Sequence, residues 1–148
     1  MSKAPRAAPL PLSAYPARTH DMVRYGDLDP QGHVNNAVFV TFFETGRVAL
    51  FRDPKSGFHV PGANMVMARL EVDFRQELLW PNALEIGSGI VAFGRTSYTF
   101  AQAIYCGDVC AATCRATVVL VDNETRRPRP IPDDMLAKLR ALTMPETA

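Results

Sequence analysis

Between Asn36 and Arg52, ten apolar side chains recur at helical spacing: Ala37, Val38, Phe39, Val40, Phe42, Phe43, Val48, Ala49, Leu50 and Phe51. They surround almost the whole circumference of the helix that this spacing predicts. Only Thr41, Glu44, Thr45 and Arg52 form a polar stripe, with Arg47 beside it. A helix this apolar is a buried one, and it needs an envelope. Asn35 or Asn36 can cap its start, and Asp53-Pro54 ends it.

The rest of the chain supplies that envelope. Val66, Ala68, Leu70, Val72 and Phe74 alternate with Met67, Arg69, Glu71, Asp73 and Arg75, the period of a half-buried strand. Residues 84–93, 96–105 and 109–121 read as three more strands, joined as hairpins by turns at Gly94-Arg95 and Gly107-Asp108. A short strand is expected over 20–25 and a last helix over 133–142, after the Arg- and Pro-rich residues 126–132. Strand, buried helix, then four antiparallel strands is an α+β layout in which the sheet curls around one helix. Pro5, Pro9, Pro11 and Pro16 mark residues 1–18 as a Pro/Ala-rich flexible tail, poorly ordered or draped over the surface. One domain then occupies 19–142 and a C-terminal tail 143–148, as suits a chain of 148 residues.

A net charge of +1 lacks the electrostatic footprint of a nucleic-acid binder. No apolar run approaches the ~18 residues of a membrane span. Cys106, Cys110 and Cys114 are too few for a disulfide scaffold and lack zinc-site spacing. With no signal-peptide pattern at the N-terminus, a cytoplasmic protein is expected.

The chemistry concentrates in Tyr25-Gly-Asp-Leu-Asp-Pro-Gln-Gly-His-Val-Asn-Asn36, where two carboxylates, an imidazole and side-chain amides precede the apolar helix. A helix N-terminus presents unpaired N–H groups and a positive dipole end, able to polarise a carbonyl while a nearby carboxylate attacks or activates water. Asp, Asn and Gly are also what any loop before a helix contains, and Asp27 or Asn35 can simply cap.

This run, followed by Phe39, Phe42-Phe43-Glu44 and Arg47, resembles the hot-dog-fold thioesterases of the 4-hydroxybenzoyl-CoA thioesterase-like and acyl-CoA thioesterase family. The resemblance covers about residues 19–142, and Gly94-Arg-Thr-Ser97 is similar to the family's hairpin near bound coenzyme A. It implies the hot-dog fold and hydrolysis of a fatty or aromatic acyl-CoA to free acid and CoA, without metal or redox cofactor. Asp29 aligns with the catalytic carboxylate, as nucleophile or general base. Asn35 and Asn36 open the helix that polarises the carbonyl, and His33 matches a histidine of the plant acyl-carrier-protein thioesterases. Gln31 stands where that motif has Asn, and Asp27 is expected to hold the loop. Tyr25, Gln31, Glu44, Met65, Val66, Met67, Arg95, Thr96 and Ser97 are the substrate-binding candidates; Arg95 with Ser97 is one candidate cluster for the coenzyme A phosphates and Arg126, Arg127 and Arg129 another, each equally readable as solvated turn and tail charges. Tyr25 also reads as a core residue at a strand end, and Glu44 with Arg47 as a helix-borne ion pair or subunit contact. Trp80-Pro81 reads as a loop anchor.

The family pairs sheet edges, so a homodimer or homotetramer with active sites at the dimer interface is implied, the strand over 66–74 being the pairing edge. Two other readings use the same fold: an acyl-acyl-carrier-protein thioesterase, docking an acidic carrier through a basic patch to which Lys138 and Arg140 are candidates to contribute, and a non-catalytic acyl-CoA binder. A dehydratase is disfavoured, since Asp29 and His33 are only four apart.

Overall fold

The computed structural model describes residues 6–52 and 56–145. Five strands form one antiparallel sheet: β1 (Ala17–Met22), β2 (Ala63–Phe74), β3 (Ala83–Phe93), β4 (Ser97–Cys106) and β5 (Val109–Asp122), in the order β1-β3-β4-β5-β2. The sheet curls around α1 (Asn36–Arg52), and α2 (Asp133–Arg140) follows the last strand. This is the α+β hot-dog architecture. β2, paired only with β5, leaves its other edge open.

Helix α1 starts where Asn35 caps it: the Asn35 Oδ1 accepts the Ala37 N–H at 3.0 Å and its carbonyl accepts the Val38 N–H at 2.9 Å. The expected stop at Asp53-Pro54 lies outside the described residues. Burial corrects the expected all-round apolar face. Phe39, Phe42, Phe43, Gly46 and Arg47 are buried, whereas Ala37, Thr41, Glu44 and Ala49 are exposed and Val48 is 42% exposed. One curled sheet covers one side of a helix, so the other side of α1 faces outward in the single chain.

Arg47 departs furthest from expectation. Its Nη1 donates to Gln102 Oε1 at 2.8 Å, and the Gln102 amide donates to Ser88 Oγ and to the Phe43 carbonyl. All three polar side chains are nearly fully buried, a paired set inside an apolar core. Arg47 is thus held by β4 rather than by Glu44, and burial pulls its pKa below the usual arginine value. Gly46 makes this approach possible, because a Cβ there would lie 2.7 Å from Ile86 Cγ2.

Strand β1 begins at Ala17 rather than near residue 20, because it runs in register against β3 from Ala17↔Ser88 to Met22↔Ala83. In β2 the strict alternation is interrupted by a bulge between Met67 and Arg69. Met65, Leu70 and Val72 consequently pack on the core, while Val66 is 45% exposed. Ahead of β1, residues 6–16 lie along the outer face of the sheet. Tyr15 and Met144 pack there with Tyr105 and Cys110, over Gly87 and Gly89, where a Cβ would meet Tyr15 at 2.6 Å and run into the Met144 sulfur. Arg75 Nη1 donates to the Ala7 carbonyl and Arg6 Nη1 to the Phe74 carbonyl. The three cysteines are free thiols, and burial pushes Cys114 up to about 12.

Candidate active site

Residues 28–34 form a small hairpin immediately before α1. Leu28 bridges Val34, Asp29 N–H donates to the His33 carbonyl at 2.8 Å, and Gly32 N–H returns to the Asp29 carbonyl at 3.0 Å. Gly32 has φ +81°, a conformation that glycine adopts without steric cost. The Asp29 Oδ1 accepts N–H groups from Gln31 at 2.9 Å and His33 at 3.3 Å. No donor among the described residues reaches its Oδ2. One carboxylate oxygen therefore locks the turn, while the other takes no part in it.

The hairpin is tied down on both sides. Asp27 Oδ2 accepts the Arg24 N–H at 2.7 Å, and its carbonyl takes the Asn35 N–H, the loop-holding part expected of it. Val34 N–H donates to the Leu78 carbonyl in the segment that follows β2. That contact brings distant chain to the site. A cavity of about 380 Å³ is lined by Asp29, Gln31, His33, Asn36, Phe39, Phe74 and Glu77, among others. No backbone carbonyl among the described residues accepts the Asn36 N–H, at the positive end of the α1 dipole. The cavity thus presents a fixed carboxylate, an imidazole and a helix N-terminus together.

Glu77 is the residue that sequence reasoning missed. Its Oε2 lies 3.3 Å from His33 Nε2, on the wall of the same cavity. Nothing in the sequence marks it, since it comes from beyond β2 and is brought to His33 by tertiary contacts, Val34 with Leu78 and Phe39 with Phe74.

The other candidates are dispersed. Asn35 caps α1 and is exposed, and it does not line the cavity. Tyr25 is no core residue: it sits in a short helical turn (Tyr25–Asp27), 72% exposed, edge-on to Trp80 at 5.3 Å. Trp80 is itself half exposed. Glu44 lies on the outward side of α1. Met65 lines a second cavity, of about 450 Å³, with Phe51, Phe58, Val60 and Leu120, whereas Val66 and Met67 are exposed on β2. Arg95, Thr96 and Ser97 form the β3–β4 turn, anchored through the Arg95 carbonyl to Ile131 N–H and the Thr96 carbonyl to Leu120 N–H. Leu120 pairs with Met65, so this turn stands at the opposite end of β2 from Asp29. Nine residue steps of strand separate Met65 from Phe74, roughly 30 Å.

Of the basic residues, Arg129 pairs with Asp122 at 3.6 Å, Lys138 Nζ donates to the Gly57 carbonyl, and Arg140 lies over the Phe93 ring. No cluster of three or more His, Cys, Asp or Glu side chains among the described residues could hold a metal. No helix among them is long and apolar enough to cross a membrane.

The family model described as the thioesterase-like superfamily matches residues 23–139. Among solved structures, a Thermus thermophilus thioesterase complexed with coenzyme A and zinc is 33% identical, with TM-score 0.75, over 87% of this chain and 95% of that one. A predicted thioesterase from Bacillus stearothermophilus is 30% identical, with TM-score 0.79, over 88% of this chain and 98% of that one. A Pseudomonas aeruginosa protein shares the fold at TM-score 0.80 and 23% identity, over 90% and 96% of the two chains. No curated protein matches the sequence.

Proposed function

The chain belongs to the thioesterase-like superfamily, and on that premise we propose that it hydrolyses acyl-CoA thioesters to free acid and CoA at the cavity holding Asp29. The observation that carries this reading is the meeting of Asp29, His33 and the α1 N-terminus in one cavity. The thioester carbonyl oxygen binds at the Asn36 N–H, where the helix dipole stabilises the charge that develops in the transition state. Asp29 on the other side attacks the carbonyl carbon through Oδ2 or deprotonates a water that does so. Direct attack expels CoA thiolate and leaves an anhydride on Asp29, which water opens. On the water route the hydroxide adds to the carbonyl, the tetrahedral oxyanion expels CoA thiolate, and the proton taken by Asp29 passes to the leaving thiolate, with no covalent enzyme intermediate. Glu77, whose Oε2 lies 3.3 Å from His33 Nε2, keeps the imidazole oriented toward the cavity.

A homodimer completes the site. The open edge of β2 carries Val66, Met67 and Phe74, each at least 40% exposed, a long edge suited to pairing with a second copy. Two-fold antiparallel pairing reverses the strand, so the partner subunit's Met65 end lies beside this chain's Phe74–Glu77 end. The partner's larger cavity, lined by Phe51, Phe58, Met65 and Leu120, then receives the acyl group. Its Arg95, Thr96 and Ser97 come to the same side as Asp29, where Arg95 meets the CoA phosphates.

The test is thiol release from a panel of acyl-CoAs, short to long and aromatic. Turnover of at least one supports the reading. Binding of acyl-CoA without turnover identifies a non-catalytic binder, and hydrolysis of carrier-protein thioesters alone identifies the carrier-dependent enzyme.

A further inference from the structure

Tyr98 opens the inner face of β4 and is 1% exposed. Its hydroxyl is the one buried side-chain nitrogen or oxygen atom without a hydrogen-bond partner among the described residues. Buried polar groups are almost always paired, and a buried phenol ordinarily finds an acceptor. The neighbouring inner-face polar groups obey that rule, since Arg47, Gln102 and Ser88 bond one another. Burial pushes the Tyr98 phenol pKa up, so it stays a neutral donor.

The position of this orphan group is informative. Tyr98 pairs with Val118, and Val118 with Met67, at the end of β2 where the larger cavity opens. Phe51 belongs to both places. It lines the cavity beside Phe58, while its ring lies 6.5 Å from Tyr98 and 5.9 Å from Phe100. Phe51 sits in the last turn of α1 and is only half-buried, and residues 58–60 on the facing wall are irregular chain. Neither wall is locked in a sheet.

We propose that the cavity continues past Phe51 to the Tyr98 hydroxyl and takes acyl groups bearing a hydroxyl or carbonyl oxygen near their far end. Tyr98 is then a specificity-determining residue, donating its O–H to that oxygen. This rests on the acyl-CoA reading above and names the substrate class within it. A purely hydrocarbon tail leaves the hydroxyl as unpaired as it is in the empty protein. An oxygenated tail is accepted only where its own oxygen finds a donor, since otherwise it is buried unpaired.

The experiment uses acyl-CoAs in matched pairs, methyl-terminated and oxygenated at the far end, at each chain length. Turnover is measured alongside binding of the corresponding non-hydrolysable thioether analogues, in wild type and in Tyr98→Phe. At the best chain length the oxygenated member should be favoured by about tenfold, and Tyr98→Phe should lower that ratio by at least about tenfold. Ratios near one in both proteins, with turnover intact, overturn the inference and leave the thioesterase reading standing. So does an unchanged preference in Tyr98→Phe, which would mean that another group reads the oxygen. Preferential binding without turnover in any pair sustains the inference and overturns the reading. Failure to bind either member of every pair overturns both.

Discussion

Asp29 and His33 divide their work between the turn and the cavity. The Asp29 Oδ1 is fixed by two backbone N–H groups, and His33 is fixed through its backbone and through Glu77. Replacing Glu77 with Ala leaves the Asp29 turn bonds intact and frees the imidazole. We expect kcat to fall about tenfold with KM little changed, because orientation rather than binding is lost. Equal losses for Glu77→Ala and Glu77→Gln would show that charge, not hydrogen bonding, is what His33 requires. Arg47 serves the core instead. Arg47→Ala removes a buried packing stem and strands the Gln102 oxygen, a destabilisation of about 3 kcal/mol read by urea unfolding.

At the scale of elements, close backbone approaches set the limits. Gly46→Ala places a methyl against Ile86 and Gln102, and Gly87→Ala drives one into Tyr15. Each should cost about 1–3 kcal/mol in chemical denaturation. Tyr15 also makes the outer-face segment sensitive to alkali. Burial raises its phenol from 10.0 to about 12, so the native state favours the neutral form. The resulting stability is fully present below pH 10 and is lost as pH rises toward about 12. Tyr15→Phe should flatten the fall in stability over that window, as followed by denaturation at stepped pH.

These elements also show what sequence carries. The strands β3, β4 and β5 and both helices were legible because periodicity and turn residues are local signals. The bulge at Ala68 was not, since nothing in an alternating run marks which residue slips out of register. Arg47 was misplaced for a related reason: a charge on a helical wheel reads as surface, and only the distant Gln102 makes its burial tolerable. In the candidate site the hairpin before α1 was readable as a contiguous motif. Glu77 and the separation of Arg95–Ser97 from Asp29 were not, being consequences of how β2 spans the molecule.

At the scale of the whole molecule, one chain places the cavity holding Asp29 and the cavity lined by Met65 at opposite ends of β2, and the proposed site joins the two across a dimer. Replacing Val66 and Met67 together with Lys puts charge on that edge without touching Asp29, and both side chains are already substantially exposed. Sedimentation should show a dimer for wild type and a monomer for the double variant, whose turnover falls at least about a hundredfold. A fully active monomer would contradict the composite site. The most direct test of the central claim is thiol release from the preferred acyl-CoA by wild type and Asp29→Asn. The substitution keeps the turn-locking oxygen and removes the charge. Loss of at least about a hundredfold in kcat, with an unchanged melting temperature, is the predicted result. Turnover by Asp29→Asn within a few-fold of wild type would contradict it.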